Sequence, residues 1–157
     1  MERLQMHLFK TALQIFEELG FMLPSAEAGQ EEKDFSPEAA VSIDFSGPIK
    51  GMMLIILRGR ILSALTGNML GDDAPPTQFQ REDALRELAN VICGNLLPHL
   101  RGSNAVFDIG IPQVRDVHNI QHCRLGEPAI RQEVALEYGR TDLQLFITQG
   151  SLLQESK

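Results

Sequence analysis

The fold class is decided by the stretch Val41-Ser-Ile-Asp-Phe-Ser-Gly-Pro-Ile-Lys-Gly-Met-Met-Leu-Ile-Ile-Leu57. Over residues 41–45 apolar and polar side chains alternate, which is typical of a strand that is buried on one face. Residues 46–51 contain two glycines and a proline, and these residue types favour a turn. Residues 52–57 are all apolar, as in a deeply buried strand. The stretch therefore predicts an antiparallel β-hairpin.

A second hairpin is predicted near the end of the chain. Apolar residues alternate over residues 134–138, Gly139-Arg-Thr forms a turn, and the alternation resumes over residues 143–147. The hairpins resemble each other, because Ser42-Ile-Asp-Phe-Ser-Gly and Ala135-Leu-Glu-Tyr-Gly both lead through a glycine turn into an apolar strand. This similarity indicates a possible internal pseudo-repeat, although any two hairpins share such features.

Helical spacing of apolar residues predicts three helices. They cover residues 2–20, 59–70 and 78–97. Thr77, followed three residues later by Gln80, forms a capping-box pattern that starts the third helix, and Pro98 should kink or end it. Helices that alternate with hairpins predict an α+β fold, in which long helices pack on one face of an antiparallel β-sheet built from the hairpins.

The other segments are predicted to be short or irregular. Residues 106–109 are predicted to form a short strand that Pro112 ends, and residues 113–128 an irregular crossing. Residues 24–37 are polar, acidic and bounded by prolines, which predicts a mobile surface loop.

The composition is that of one globular domain with an acidic surface. The chain has 157 residues, 43% of them hydrophobic, which is sufficient for a real core. We expect one domain over residues 1–150 and a flexible tail over residues 151–157. The net charge of −7 argues against nucleic acid and anionic membranes as partners.

The cysteines and the apolar runs bear on the cellular location. The longest apolar run, residues 52–57, is too short to span a bilayer, and the charged N-terminus is unlike a signal peptide. Two cysteines, Cys93 and Cys123, are too few for a disulfide framework. A cytoplasmic protein with reduced thiols is therefore favoured.

The candidate functional site lies in Arg81-Glu-Asp-Ala-Leu-Arg-Glu-Leu-Ala-Asn-Val-Ile-Cys-Gly94. Asp83, Glu87, Asn90 and Gly94 are spaced by four, three and four residues, so they form one narrow stripe along a helix. The apolar residues fall on roughly the opposite side: Leu85, Leu88, Ala89, Ile92 and Leu96. The stripe is therefore predicted to face solvent while the apolar side docks on the core. Gly94 is unusual there, because glycine inside a helix costs about 1 kcal/mol relative to alanine.

With these residues the chain resembles the CheC/CheX/FliY family of chemotaxis phosphatases. The family signature is Asp or Ser, three residues, Glu, two residues, Asn, and a Pro further along the chain. The matching positions here are Asp83, Glu87, Asn90 and Pro112, with 21 residues between the last two. The resemblance covers most of the chain, including the segment 59–71 before the signature helix. It implies the CheC-like fold.

Within that family the chain resembles the CheX type most. CheC-type proteins carry a second signature on the first helix. The equivalent region here, Phe16-Glu-Glu-Leu-Gly-Phe21, has no Asn three residues after either Glu. CheX-type proteins are homodimers, so the resemblance also implies a homodimer.

The resemblance implies that the chain acts on the phosphoaspartate of a phosphorylated CheY-like response regulator. Asn90 would hold the attacking water in line with the phosphorus, as a glutamine does in some GTPases. Glu87 would pair with the active-site lysine of the regulator. Asp83 would add a rim contact, Gly94 would leave room for the regulator's backbone, and Pro112 completes the partner-binding set. No cofactor is expected on this chain, since the Mg²⁺ belongs to the regulator.

Two other readings of the stripe stay open. The first is a non-catalytic module of the same fold, which binds a response regulator or another two-component protein without hydrolysing the phosphoaspartate. The second is an unrelated α+β domain with a chance stripe, which would be favoured if Glu87 and Asn90 were buried or flanked by a wall of side chains.

Other site types have less support in the sequence. His118-Asn-Ile-Gln-His-Cys123 holds two histidines four residues apart and a cysteine, but it lacks helical periodicity and further ligands, so no metal is expected. Cys93, on the apolar side of its helix, is a poor candidate for a nucleophile. Nucleotide-binding glycine motifs are absent from the sequence.

Overall fold

The computed structural model describes residues 2–20, 22–24, 36–71, 74–101, 105–123 and 126–152. Most of the predicted acidic loop and the last residues of the predicted tail lie outside this range. The helices are α1 (Glu2–Gly20), α2 (Ile61–Leu70), α3 (Gln78–Leu96) and α4 (Pro98–Arg101), and Val117–Cys123 form a 3₁₀ helix. The strands are β1 (Pro37–Ser46), β2 (Lys50–Gly59), β3 (Asp108–Ile109), β4 (Gln113–Arg115), β5 (Ile130–Leu136) and β6 (Gly139–Gln149).

The strands form one antiparallel sheet in the order β3-β1-β2-β6-β5, and β4 also pairs with β1. The two predicted hairpins are β1–β2 and β5–β6, although the second turns at Glu137 and Tyr138 rather than at the predicted Gly139-Arg-Thr, which belongs to β6. They lie side by side with their second strands paired, so that Ile55 faces Leu143 across the centre of the sheet. The predicted α+β fold with an antiparallel sheet built from hairpins is confirmed, whereas the internal pseudo-repeat stays a prediction.

Each face of the sheet has its own apolar cluster. Odd-numbered residues of β1 and β2, such as Val41 and Ile55, join the main core beneath the helices. Even-numbered residues, such as Leu54 and Ile56, join a smaller cluster on the opposite face, against which Val117 and Ile120 of the 3₁₀ helix pack. This two-sided burial explains why residues 52–57 are apolar without alternation.

The helices are fixed to the sheet and to each other by apolar packing and by a few polar contacts. The side-chain amide of Asn68 donates to the carbonyl of Gly20 and so satisfies the end of α1. At the start of α2, the carboxylate of Glu38 on β1 accepts from the Leu62 N–H at 2.8 Å. The first contact holds the C-terminal end of α1 beside α2, and the second fixes the start of α2 to β1.

Some segments differ from the sequence-based predictions. The predicted irregular crossing over residues 113–128 is wrong in part, because Gln113–Arg115 pair with β1 and Val117–Cys123 are helical. The predicted strand 106–109 is reduced to Asp108–Ile109. The second helix begins at Ile61 rather than at Gly59, since Gly59 ends β2 with a φ of +87°.

Candidate functional site

The candidate site is carried by α3, whose first turn is closed by the predicted capping box. The Thr77 hydroxyl accepts from the Gln80 N–H at 3.1 Å, and the Gln80 side chain accepts from the Thr77 N–H at 2.9 Å. Both contacts satisfy N–H groups that the helix leaves without partners. The helix ends at Leu96, one residue before the predicted end, and Pro98 opens a separate short helix.

The two sides of α3 have the burial that the sequence predicts. The buried residues are Ala84, Leu85, Leu88, Ala89, Ile92, Cys93 and Leu96. The stripe residues Asp83, Glu87, Asn90 and Gly94 are all exposed. Exposure of Glu87 and Asn90 removes one of the two observations that would have favoured an unrelated domain with a chance stripe.

Two neighbouring rows of polar side chains on α3 differ in their contacts. In one row, Gln78 donates to Glu82 at 3.3 Å, and Glu82 pairs with Arg86 at 3.7 Å. In the stripe, the side chains of Asp83, Glu87 and Asn90 make no hydrogen bond or ion pair with any described residue. The stripe is therefore available for contacts outside the chain.

The stripe borders a cleft of about 770 Å³. The lining residues come from α1, α2, α3 and the turn between β3 and β4: Leu19, Thr66, Met69, Leu70, Phe79, Gln80, Asp83, Ala84, Arg86, Glu87, Asn90, Gly110, Ile111 and Pro112. Asp83, Glu87 and Asn90 thus share the cleft with Pro112, the last residue of the sequence signature. The polar stripe lies in a concave site with apolar walls, which is typical of binding sites.

Pairing of β3 and β4 with β1 brings Pro112 to the signature helix. The Gly110 N–H donates to the Asp44 carbonyl at 2.8 Å, which fixes the turn, and Pro112 itself is buried. Gly94 lies one turn beyond Asn90 and does not line the cleft. A Cβ atom on Gly94 would lie 3.9 Å from Ile109 Cδ1, which is ordinary contact distance.

Sequence reasoning missed several residues of the cleft. Arg86 lies between the two acids of the stripe in sequence and brings a positive charge to the same cleft. The apolar part of its lining comes from Phe79, Ile111, Leu70, Met69 and Leu19. They come from four separate segments, so no local sequence pattern connects them. The one local signal is Phe79, a large apolar residue in the first turn of α3.

The other candidate sites gain little from the structure. Cys93 is fully buried, and burial raises the pKa of its thiol to about 12, so the reactive thiolate is suppressed. Among the described residues, no three His, Cys, Asp or Glu side chains cluster in a way that could hold a metal. The side chains of His122 and Cys123 lie outside those residues. Of the helices that are described, none has the length and apolar character needed to cross a membrane.

Comparison with known proteins gives the family. The model of the family "Chemotaxis phosphatase CheX" matches residues 39–134, a range that holds the whole stripe and Pro112. The chain belongs to the CheX family. A comparison with the curated proteins gave no match.

Solved structures support the fold. The chemotaxis protein CheX from Desulfovibrio desulfuricans is similar with a TM-score of 0.69 at 14% identity, over 93% of this chain and 99% of that one. CheX in the CheX–CheY–BeF₃–Mg²⁺ complex from Borrelia burgdorferi has a TM-score of 0.61 at 12% identity, over 92% and 97%. A CheC-like superfamily protein from a Shewanella species has a TM-score of 0.57 at 16% identity, over 93% and 97%. At these identities the likeness establishes a shared CheC-like fold.

Proposed function

We propose that this chain accelerates hydrolysis of the phosphoaspartate of a CheY-like response regulator. Asn90 is the catalytic residue that positions the attacking water, and Glu87 is the contact that fixes the regulator in register. The observation that carries the proposal is the pair of exposed, unbonded side chains, one turn apart, on a helix whose first turn is capped. Membership of a phosphatase family supports it.

The chemistry asks little of this chain beyond position. The oxygen of water attacks phosphorus in line, the bond between phosphorus and the aspartate oxygen breaks, and the aspartate leaves as a carboxylate. The water proton passes to the phosphate or to solvent. Because the transition state of phosphoryl transfer is loose, positioning and charge stabilisation dominate over strong base catalysis. We expect the regulator to supply the Mg²⁺ and the lysine that stabilise the phosphoryl oxygens.

A carboxamide suits this task. Its oxygen accepts a hydrogen bond from water while its NH₂ donates to a phosphoryl oxygen, so a single side chain can orient both reactants. Asn90 is exposed at the cleft, and its backbone belongs to a helix packed on the core through Leu88 and Ile92. Rigid support of this kind is what water positioning requires.

Glu87 complements Asn90 electrostatically. Its carboxylate, one turn away and without a partner among the described residues, would pair with the lysine of the regulator in a charge-assisted hydrogen bond. Asp83, one turn further, would form a weaker contact at the edge of the interface. Pro112 and Gly94 would shape the surface on either side of Asn90.

The direct test is the decay of a phosphorylated CheY-type regulator with and without this chain. We expect substoichiometric amounts of the chain to increase the rate of phosphate release. Binding of the regulator without faster decay would instead support the non-catalytic module. Unchanged decay together with no measurable binding would rule out both forms of the proposal.

We further propose that the chain forms a homodimer, as its resemblance to the CheX type implies. We also propose that it works in the cytoplasm, since two cysteines are too few for a disulfide framework. The net charge of −7 is consistent with a protein partner rather than with nucleic acid or an anionic membrane. Light scattering coupled to size exclusion would give the mass of the particle, and a value near one chain mass over the micromolar range would contradict the dimer.

A further inference from the structure

Three large apolar side chains at the edge of the cleft are exposed to solvent. Phe79 is 71% exposed, Ile111 is 83% exposed and Leu70 is 44% exposed. None of them belongs to either buried apolar cluster or to the partly buried residues that pack against those clusters. Phe79 and Ile111 therefore bury little of their apolar surface within the chain. Exposed apolar residues grouped around a concave site are typical of an interaction surface.

The positions of Phe79 and Ile111 are fixed by the backbone. Phe79 belongs to the first turn of α3, which the Thr77 capping box closes. Ile111 follows Gly110, whose N–H is bonded to Asp44, and precedes the buried Pro112. Because the backbone at both positions is ordered before binding, a partner that covers these side chains does not have to order it. They therefore have the properties of binding anchors.

The floor between these two residues is also apolar in part. Leu19 at the end of α1 and Met69 on α2 line the cleft, and both are partly buried against the main core. The cleft thus has both partly buried and exposed apolar residues in its lining, together with the polar stripe of Asp83, Glu87 and Asn90. An occupant that reaches Asn90 must cover this apolar surface.

The charges in and around the cleft provide little attraction for an acidic regulator. Asp83 and Glu87 are negative, and among the described lining residues only Arg86 is positive. The chain as a whole carries a charge of −7. A regulator with an acidic phosphorylation site gains no general electrostatic attraction to such a surface. Apart from the contact of Glu87 with the regulator's lysine, apolar burial is the remaining contribution that can hold the two proteins together.

We propose that Phe79 and Ile111 are the principal affinity determinants for the regulator, and that they clasp apolar side chains that border its phosphorylated aspartate. This inference rests on the proposed function, since the same cleft holds Glu87 and Asn90. The occupant is the regulator rather than a second copy of this chain, because the apolar rim is continuous with the polar stripe on which the chemistry depends.

The test uses a CheY-type regulator held in its activated form by beryllofluoride and Mg²⁺, titrated against Phe79→Ala, Ile111→Ala and the double variant. We expect each single variant to bind about tenfold more weakly, the effect of losing one aromatic or large aliphatic anchor. In the decay assay the KM should rise by the same factor while kcat stays unchanged. The two exposed side chains are outside the core, so circular dichroism should show a native fold.

Val106→Ala is the matched control. Val106 is 80% exposed and apolar, close to Ile111 in sequence, but it does not line the cleft. It should bind the regulator as the wild type does. Weaker binding of Phe79→Ala and Ile111→Ala but not of Val106→Ala supports the proposal.

The outcomes separate this inference from the proposed function. If Phe79→Ala and Ile111→Ala bind with wild-type affinity while Asn90→Ala loses turnover, the proposed role of Phe79 and Ile111 in affinity is wrong. The catalytic proposal is then unaffected. If Phe79→Ala and Ile111→Ala bind weakly to a regulator whose decay the wild type does not accelerate, the affinity role of Phe79 and Ile111 is supported. The proposed phosphatase activity is then wrong. If affinity falls steeply with added salt and is the same in the wild type, Phe79→Ala and Ile111→Ala, binding is driven by charge. That result also contradicts the affinity role of Phe79 and Ile111.

Discussion

Helices α1 and α3 are equal in length, at 19 residues, and both pack on the main core, yet only α3 presents a candidate site. On α1 the Gln14 side chain donates to Glu18 at 3.0 Å, so these exposed polar groups satisfy each other. On α3 the stripe residues are unbonded and border the cleft. The comparison shows that a polar helix face becomes a candidate site through free side chains and an adjacent cavity, rather than through composition.

The end of α1 also lacks the space for a second signature. Three residues after Glu17 stands Gly20, where an Asn would be required. A Cβ atom there would lie 2.9 Å from Met22 Cε and 3.0 Å from Leu65 Cδ1. Gly20 is buried at the end of α1, against Leu65 of α2, so a side chain there would displace core atoms rather than reach a partner. This packing gives a structural reason for one signature instead of two.

The largest effect is expected for Asn90→Ala. It should lower kcat for regulator dephosphorylation by about 100-fold or more, because lost positioning of a reactant has effects of that order. Affinity for the activated regulator should change little, since the rim and Glu87 remain. Gln14→Ala, which removes an exposed amide from α1, is the control and should keep full activity. Full turnover in Asn90→Ala would refute the mechanism.

The next effect is expected for Glu87→Ala. Loss of a charge-assisted hydrogen bond to the regulator's lysine should raise the KM about tenfold and also lower kcat, since this contact sets the register. Glu17→Ala removes an exposed carboxylate from α1 and should leave both parameters unchanged. Equal effects of the two substitutions would mean that general charge, rather than a specific contact of α3, governs binding.

Gly20→Asn tests whether α1 can also carry a functional signature. It gives α1 the Glu-x-x-Asn spacing of the signature, but the new side chain must enter the packed space beside Leu65. We expect a loss of about 1–3 kcal/mol in the free energy of unfolding, as overpacking costs, and no gain in phosphatase rate. Urea denaturation measures the first and the decay assay the second. A stable variant with a doubled rate would mean that α1 is also a latent site.

Gly94→Ala tests whether the regulator-binding part of the stripe on α3 extends as far as Gly94. The nearest atom to the new methyl group is Ile109 Cδ1 at 3.9 Å, so the helix should gain about 0.5–1 kcal/mol of stability. If Gly94 provides clearance for the regulator, the same variant should bind it several-fold more weakly. Gly67→Ala on α2 is the matched control, because no atom lies within 4 Å of its Cβ position among those compared. It should gain stability without losing affinity.

The smallest effect concerns the pH dependence of folding stability, through His7 on α1. His7 stacks on His99 of α4 with ring centroids 4.3 Å apart. Partial burial lowers the pKa of His7, and repulsion from His99, Arg3 and Lys10 lowers it further. The folded state then binds its proton less readily than the unfolded state does, so the contribution to stability is present above the unfolded pKa of about 6.5 and is lost as pH falls below it.

His7→Gln removes this titration and should give a flatter dependence of the denaturation midpoint between pH 7.5 and pH 5. Activity at neutral pH should be unaffected, since His7 does not line the cleft. A wild-type protein that is equally stable at both pH values would show that the stacked pair has no influence on folding.

Much of the fold was predictable because its signals are local. The first hairpin turn, the alternation of residues 41–45 and the Thr77 capping box each depend on residues close in sequence. The strand Gln113–Arg115 was missed, because three residues carry no period. Its place is fixed by pairing with β1 and by the Arg115 Nε contact to the Ser42 hydroxyl at 2.7 Å, more than seventy residues away.

The sequence alone determined the stripe of Asp83, Glu87 and Asn90, its exposure and the apolar side opposite to it, because a helix of 3.6 residues per turn fixes which side chains share a face. Only the tertiary structure decided what stands across from the stripe. Leu19, Leu70, Ile111 and Pro112 reach the cleft because α1, α2 and the β3–β4 turn pack on one sheet. Contacts between segments so distant in the chain follow from the packing of the whole core, and no local period encodes them.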